Sequence, residues 1–378
     1  MRPDGKPFLV VSASGRALAA MARRSGAHTV VLDLFADADT AACCDALRCV
    51  TSDRTLRFHS RRLLEAAAVL AAPSASRGMI FGSGLEGRVP LLARLARGRK
   101  VFGNAPDTVA RLKDPQMLAS LLGSLGIRTP AVRFAPPPDP RGWLVKQAGG
   151  AGGVHVRAAK RGATSRQGRY FQRFVDGRVL SLLLVANGRE ALPVGLSEQW
   201  GAGADCPRRP FSFGGAISDA SVPEDVRAQV EEWGARLTER VGLIGLNGID
   251  FILDDAGRPH CIEINPRPTA TAELYDCRAP GGLFAWHVDA CEGRLPTRGL
   301  EPRAGVRGQA IVYASAPWTS TPARWPDWVT DRPLPGTPVA AGAPLCTVHA
   351  TGARAAAVRH QLDERSRIIR RTVMPLAA

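Results

Sequence analysis

The most regular alternation of apolar and polar residues in the chain lies between Asn247 and Asp276. Residues 249–253 and 261–265 each alternate at every second position, which is the period of a half-buried strand. An Asp-Asp-Ala-Gly turn signal separates the two runs. The pattern predicts a β-hairpin in which Asp250 lies opposite Glu263, because facing residues of an antiparallel pair share a face.

Asp250, Glu263 and Asn265 would project from one face of this hairpin as three oxygen ligands. Two carboxylates among apolar neighbours are unfavourable unless a cation neutralises them. Mg²⁺ prefers oxygen ligands and usually shares them with phosphates. An ordinary solvated hairpin face is the alternative, but the surrounding apolar residues indicate burial. We therefore predict a site for Mg²⁺ or Mn²⁺ at these three residues, with Arg267 on the loop beyond.

The hairpin resembles the metal-binding hairpin of the ATP-grasp superfamily, which includes biotin carboxylase, D-alanine–D-alanine ligase and many carboxylate–amine ligases. The three ligands match the family spacing, and Arg267 matches its following arginine. The resemblance implies an α/β (α+β) ATP-grasp fold. A Rossmann-like domain would span residues 1–105, the ATP-grasp domain 106–300 with a glycine-loop lid at about 141–180, and a small β-rich subdomain 301–378.

Two lysines stand out in a chain whose basic residues are nearly all arginine. Lys113 directly precedes a predicted helix, with Asp114 as its N-cap and Pro115 as its first residue. Lys146 ends a predicted strand, and four glycines follow it. Glycines let backbone N–H groups approach phosphates, and a lysine neutralises them. We predict that both lysines bind nucleotide phosphates together with Gly149, Gly150, Gly152 and Gly153.

The resemblance assigns further roles. The hinge at Gln172, Arg173, Phe174 and Val175 would pair with the adenine edge. Arg267 and Lys146 would act catalytically on the transferring phosphate. Many relatives carry a ribose-binding acid where this chain has Val179, so that contact is not assigned.

The N-terminal region predicts a βαβ start, with strands at 8–12 and 30–34 around a helix at 16–25. No G-x-G-x-x-G follows the first strand, which argues against an NAD site. A glycine-rich turn at 82–87 is either an ordinary tight connection, the commoner case, or an anion site; its Glu86 is a candidate contact for an amine substrate.

Three other segments carry weaker predictions. Residues 101–106 predict a short strand, and a capping box at Ser221 and Glu224 predicts the start of a helix. Residues 193–218 predict a long irregular loop that would line the acceptor pocket, with Glu198 and Arg209 as candidate substrate contacts.

Composition narrows the class of protein. The 378 residues are 45% hydrophobic, which suits a folded chain, and no apolar run is long enough for a membrane span. The net charge of +16 suits anionic substrates; its basic residues form no long tract with interleaved aromatics, so we predict no nucleic-acid partner. Scattered cysteines indicate reduced thiols and a cytoplasmic location. A homodimer is compatible with these features.

The resemblance implies a Mg-ATP-dependent ligase that activates a carboxylate as an acyl-phosphate and joins it to an amine. The chain is also distantly similar to tyramine–glutamate ligase, which suggests glutamate addition in biosynthesis of a methanofuran-type one-carbon cofactor. One alternative is a biotin-carboxylase-like enzyme that activates bicarbonate, but Thr271 stands where those enzymes carry a glutamate, and Glu273 comes two residues later. The other is a non-catalytic ATP-binding regulatory protein.

Overall fold

The structure is a computed structural model that describes residues 5–52, 55–302, 305–322 and 324–373. The helices are α1 Arg16–Arg24, α2 Ala38–Ala41, α3 Ser60–Leu70, α4 Val89–Ala96, α5 Pro106–Lys113, α6 Pro115–Ser124, α7 Glu224–Val241, α8 Leu283–Cys291 and α9 Ala355–Val373. The strands are β1 Phe8–Val11, β2 Thr29–Asp33, β3 Ala46–Cys49, β4 Thr51–Ser52, β5 Thr55–Phe58, β6 Gly78–Phe81, β7 Val132–Arg133, β8 Trp143–Gln147, β9 Arg157–Ala158, β10 Arg169–Arg173, β11 Arg178–Asn187, β12 Ala191–Gly201, β13 Phe213–Ile217, β14 Ile244–Leu253, β15 Pro259–Asn265, β16 Val306–Tyr313, β17 Trp318–Thr319, β18 Val329–Thr330, β19 Pro338–Val339 and β20 Pro344–Gly352.

The N-terminal region forms a parallel four-stranded sheet in the order β3-β2-β1-β6. Strands β1, β2 and β6 are buried along their whole length, as expected for a parallel sheet covered on both faces. The predicted βαβ start is confirmed. The strand predicted at 101–106 is wrong: it reduces to one bridge between Met79 and Val101, because α5 begins at Pro106.

A small antiparallel sheet, in the order β7-β10-β8-β9, overlaps the segment 141–180 that was predicted as a lid. We call this sheet with its connections the lid, and its role in covering a nucleotide stays a prediction. Lys146 lies opposite Tyr170 in its two central strands, β8 and β10. Side chains at alternate positions point to opposite faces, so Lys146, Tyr170 and Gln172 share one face of this sheet.

An eight-stranded sheet in the order β15-β14-β11-β12-β13-β16-β20-β18 forms the centre of the molecule. The hairpin β14–β15 lies at one edge, and the strands from residues 306–352 extend the sheet at the other. Helix α7 packs one face of the sheet through Val226, Val230, Trp233 and Leu237, all buried.

Two predictions around this sheet are wrong. Residues 193–218 are not a long loop, since most of them belong to β12 and β13. The strand pattern was hidden by Pro193, which pairs beside a register shift, and by Gly195, where a Cβ would clash with the Tyr275 ring. The capping box fails because Glu224 is the first residue of α7, after Pro223, and no side chain caps it.

No helix in the described part of the chain is long and apolar enough to cross a membrane.

Candidate nucleotide and metal site

The hairpin brings the three predicted oxygen ligands together. Asp250 pairs with Glu263 as predicted, and Asn265 lies opposite Gly248. The Asn265 amide donates to Asp250 Oδ2 at 2.7 Å, and Gln199 on β12 donates to Asp250 Oδ1 at 3.1 Å. Both oxygens of this half-buried carboxylate are therefore engaged in hydrogen bonds.

Lys113, the last residue of α5, reaches this face from outside the sheet. Its Nζ donates to Glu263 Oε1 at 2.6 Å and to Asn265 Oδ1 at 3.0 Å. Asp114 ends α5 and caps α6 by accepting from the N–H groups of Gln116 and Met117, so the predicted cap is confirmed. The sharp break between the two helices fixes the backbone of Lys113 beside the hairpin.

The two carboxylates differ in their protonation equilibria. Burial and the neighbouring Glu263 raise the pKa of Asp250. Burial also disfavours ionised Glu263, but Lys113 and Lys146 outweigh it, and the pKa of Glu263 lies below its usual value. Glu263 is therefore the carboxylate that this arrangement keeps ionised, and an added cation would favour ionised Asp250 in the same way.

The donor set fits a hard cation that shares its ligands with phosphate. Within residues 5–52, 55–302, 305–322 and 324–373, no three His, Cys, Asp or Glu side chains form a metal cluster of their own. Two carboxylates and one amide oxygen leave coordination positions for phosphate oxygens and water, as is usual for Mg²⁺.

The lid presents a second lysine to this face. Lys146 is buried, and its Nζ donates to Gln172 Oε1 at 2.6 Å. Burial lowers the pKa of Lys146, while the charges of Glu263 and Asp250 raise it, so the lid lysine lies within electrostatic reach of the hairpin. Tyr170, on the same lid face, has a raised pKa through burial and through Glu263.

The glycine loop that follows β8 is packed on both sides. A Cβ at Gly87 would lie 2.8 Å from the carbonyl oxygen of Gly149, and one at Gly153 would lie 2.7 Å from the carbonyl carbon of Phe211. The Phe213 N–H donates to Gly152 O at 3.0 Å. The loop thus touches the turn after β6 and the connection between β12 and β13.

His155 follows the same loop and lies against Gly150, where a Cβ would clash with its ring. Burial lowers the pKa of His155 to about 4, and its Nδ1 is buried without a hydrogen-bond partner among the described residues. Buried ring nitrogens normally have a hydrogen-bond partner, so this unpaired nitrogen near two lysines and Glu263 is an unusual feature of the loop.

Residues 114–271 match the family described as the ATP-grasp domain. The match covers the central part of the chain, less than half of its 378 residues. It contains the glycine loop, the hinge and the metal hairpin, and Lys113 immediately precedes it.

A D-alanine–D-alanine ligase of Oleidesulfovibrio alaskensis is 36% identical over 117 residues, which cover 30% of this chain. The match spans only 37% of that ligase.

Two solved structures share the fold over nearly the whole chain. The biotin carboxylase domain of Hydrogenobacter thermophilus 2-oxoglutarate carboxylase, a dimer in complex with MgADP and bicarbonate, has a TM-score of 0.71 at 12% identity and covers 97% of this chain and 90% of that one. The N5-carboxyaminoimidazole ribonucleotide synthetase of Thermotoga maritima has a TM-score of 0.69 at 16% identity and covers 96% and 98%. The predicted ATP-grasp fold is confirmed.

The hinge of the ATP-grasp domain joins the lid to β11. The Arg173 and Phe174 N–H groups already donate to the carbonyls of Ala131 and Gly142, at 2.8 Å each. The Val175 N–H has no hydrogen-bond partner among the described residues, and the pairing of the hinge with an adenine edge stays a prediction. Val179, at the position of the family's ribose-binding acid, lies opposite the uncharged Gln199.

Glu86, a candidate contact for an amine substrate, binds an arginine of the chain. It is buried, Oε2 accepts from the Gly84 N–H at 2.6 Å, and Oε1 accepts from Arg267 Nε. Burial disfavours its charge, but Arg267 and Lys113 outweigh that and hold the pKa of Glu86 below its usual value. Glu86 therefore orients Arg267, and both of its oxygens are engaged.

The two other candidate substrate contacts lie in different surroundings. Glu198 is on the opposite sheet face from its neighbour Gln199 and binds Arg178 through Nη2 at 2.5 Å, so it does not join the site. Arg209 is exposed in the connection between β12 and β13, close in sequence to the residues that touch the glycine loop. Its role as a substrate contact stays a prediction.

The sequence missed two contributors to the site. Gln199 was hidden because β12 was taken for a loop; as a strand, its alternation would have placed Gln199 on the face of Asp250. His155 belongs to no recognisable sequence motif. It lies near Lys146 and Lys113 only because it packs against the glycine loop at Gly150.

Proposed function

We propose that this chain is a Mg-ATP-dependent, ADP-forming ligase that activates a carboxylate as an acyl-phosphate and joins it to an amine. The observation that carries the proposal is the convergence of Lys113, Glu263, Asn265 and Asp250 on one sheet face, opposite Lys146 of the lid. Two cations and an oxygen-rich cation site within one buried space suit a polyphosphate.

Different residues of the chain would bind the phosphates, hold the metal ion and stabilise the developing charge. Lys113 and Lys146 bind phosphate oxygens, and the glycine loop covers them with backbone N–H groups. Asp250, Glu263 and Asn265 would hold Mg²⁺, which when bound neutralises phosphate charge. Arg267, oriented by Glu86 and with Nη2 3.3 Å from Asn265 Oδ1, stabilises charge that develops on the transferring phosphate or on the acyl-phosphate.

A bicarbonate-activating, carboxylase-like reaction is the second candidate, supported by the whole-length likeness to a biotin carboxylase domain bound to MgADP and bicarbonate. The residues that follow the hairpin argue against the carboxylase reaction. Thr271 bonds the Thr269 hydroxyl at 2.8 Å, and the carboxylate of Glu273 is bound by Arg16, whose Nη2 lies 2.8 Å from Oε2. Glu273 is thus engaged elsewhere and is not free to act as a base.

The finer hypothesis is glutamate addition in biosynthesis of a methanofuran-type one-carbon cofactor. It rests on the distant similarity to tyramine–glutamate ligase and on the positive charge of the chain, which favours acidic substrates. Small-molecule acid and amine substrates, a homodimer like that of the carboxylase domain, and a cytoplasmic location belong to the same proposal.

The test is release of ADP and phosphate from Mg-ATP with pairs of acids and amines, including glutamate, tyramine and short polyglutamates, and with bicarbonate plus biotin. We expect release that requires both an acid and an amine. Glu263→Gln should lower the rate at least about a hundredfold, because it removes a charged ligand from the phosphate site. Glu239→Gln, an exposed residue of α7, is the matched control and should match the unaltered protein.

Release that depends on bicarbonate and biotin would replace the ligase proposal with the carboxylase. Tight ATP binding without release for any pair, or equal rates for Glu263→Gln and Glu239→Gln, would contradict catalysis at this site.

A further inference from the structure

Positive charge is concentrated in the lid. The 42 residues from Val132 to Arg173 carry nine lysines and arginines and one acid, Asp139, a net charge of +8. Half of the chain's +16 therefore lies in one ninth of its length. A general preference for arginine spreads charge evenly and would place only about +2 in a segment of this size. The lid needs a separate explanation.

Four of these nine basic residues lie on the sheet face opposite to that of Lys146, which faces the candidate nucleotide site. The register places Arg133, Phe171, Val145 and Arg157 in one row across the four strands. Lys146 and Gln172 lie on the opposite face. We call the first face the outer face of the lid; its polar and aromatic members are Arg133, Trp143, Gln147, Arg157, Arg169 and Arg173.

The arginines of the outer face are held in place without being neutralised. Arg157, Arg169 and Arg173 donate to backbone carbonyls of Val154, Thr164 and Arg141 at 2.9–3.0 Å. Within the described part of the lid, Asp139 forms an ion pair with Arg141, which is not an outer-face residue. No carboxylate among the described residues forms an ion pair with an outer-face arginine. Like charges held on one surface repel each other, and an anionic partner relieves that repulsion.

We propose that the outer face of the lid is a docking surface for an acidic polypeptide segment. Planar guanidinium groups on a rigid sheet suit the carboxylates of such a segment, because each can bind one in a bidentate manner. Phe134, half-exposed at the end of β7, and Phe174 beside Arg173 add apolar contact area at the edges of the surface.

The aromatic geometry favours a polypeptide over single-stranded nucleic acid. Binding of unpaired bases needs free aromatic faces for stacking. On the outer face itself the aromatic residue that is not fully buried is Trp143, and the Arg133 and Arg173 guanidinium groups lie 6.0 and 5.9 Å from its ring centre. The half-exposed Phe134 and Phe174 lie just beyond the ends of β7 and β10. Phe171 is fully buried beneath the arginines. A second copy of this chain is disfavoured as the occupant because it carries the same +16 charge.

The test measures binding of fluorescently labelled poly-L-glutamate by anisotropy, at low and at physiological salt, with a single-stranded oligonucleotide of equal charge as competitor probe. The variant is Arg133→Glu with Arg169→Glu; Arg133→Gln with Arg169→Gln is a milder second variant. The control, Arg189→Glu with Arg298→Glu, makes the same change in net charge at exposed arginines outside the lid. Thermal melting establishes that each variant is folded.

We expect poly-L-glutamate to bind the unaltered protein and the control, and about tenfold more weakly to the Arg-to-Glu lid variant, with the Gln variant intermediate and the difference shrinking as salt rises. Equal weakening by the lid variant and the control would show that only net charge matters and would overturn the proposal. Tighter binding of the oligonucleotide than of poly-L-glutamate would overturn it in favour of nucleic acid.

Discussion

A methyl group at Gly153 tests whether docking of the glycine loop contributes to nucleotide binding. Gly153 has φ +69° and lies against the backbone of Phe211, where a Cβ would come within 2.7 Å of the carbonyl carbon and closer still to the oxygen. Backbone atoms at that distance cannot rotate away as a side chain does. Gly153→Ala therefore requires the loop to leave its position on the connection between β12 and β13.

Gly152→Ala is the matched control. Gly152 has φ +62°, so alanine there meets the same left-handed backbone, but a Cβ would have nothing within 4 Å. That conformation costs a non-glycine residue about 1–2 kcal/mol, equivalent to a weakening of ATP binding by about tenfold if the whole cost falls on the closed loop. The backbone clash is confined to Gly153→Ala, and we expect it to weaken ATP binding at least about tenfold further.

The assay is the Kd for Mg-ATP by titration calorimetry, with KM and kcat for ADP release once a substrate pair is known. Melting temperatures of the two variants should agree closely, because an undocked lid loop leaves the core sheets unchanged. A Kd for Gly153→Ala within twofold of that for Gly152→Ala would refute the reasoning, since it would mean that the docked loop adds nothing to nucleotide affinity.

Two further predictions concern the buried charges between β2 and the C-terminal strands. Burial, and then Asp331 and Asp33, raise the pKa of Asp37 to about 8, above its unfolded value of about 4, so stability should fall as pH rises through that interval. Asp37→Asn should flatten this fall in melts at pH 5 and pH 8, and exposed Asp327→Asn should not. Arg16→Met, which strips Glu273 and Asp331 of their partner, should lower the free energy of unfolding in urea by about 3 kcal/mol. Arg61→Met, in an exposed pair, should leave it almost unchanged, and equal losses would contradict the argument.

Local sequence patterns were enough to predict those parts of the structure that depend on residues close together in the chain. The hairpin could be predicted because the period-2 pattern and the turn signal agree, and the pairing of Asp250 with Glu263 follows from them. The break at Asp114 could be predicted for the same reason, since capping and the fixed φ of Pro115 act within one turn.

Contacts across long separations could not be predicted from one sequence. The pair of Glu86 with Arg267 joins residues 181 positions apart, and that of Arg16 with Glu273 joins residues 257 apart. Nothing in the local pattern at Glu86 distinguishes an acid that faces solvent from one that orients an arginine. Strand β12 was not predicted for a related reason. Only glycine fits at position 195 because the Tyr275 ring, distant in sequence, packs against it, whereas a glycine in the local pattern argues against a strand.

The turn at residues 84–87 connects the glycine loop with Arg267. Glu86 binds Arg267, and the next residue, Gly87, lies against Gly149 at the start of the glycine loop. A movement of this turn that frees the loop also moves the carboxylate that orients the arginine. Because the N-terminal region supplies the turn while α5 and the hairpin supply Lys113 and the oxygen ligands, no single segment completes the site. The three regions must be packed together before Lys146, the glycine loop and Arg267 can act on the same phosphates in the proposed reaction.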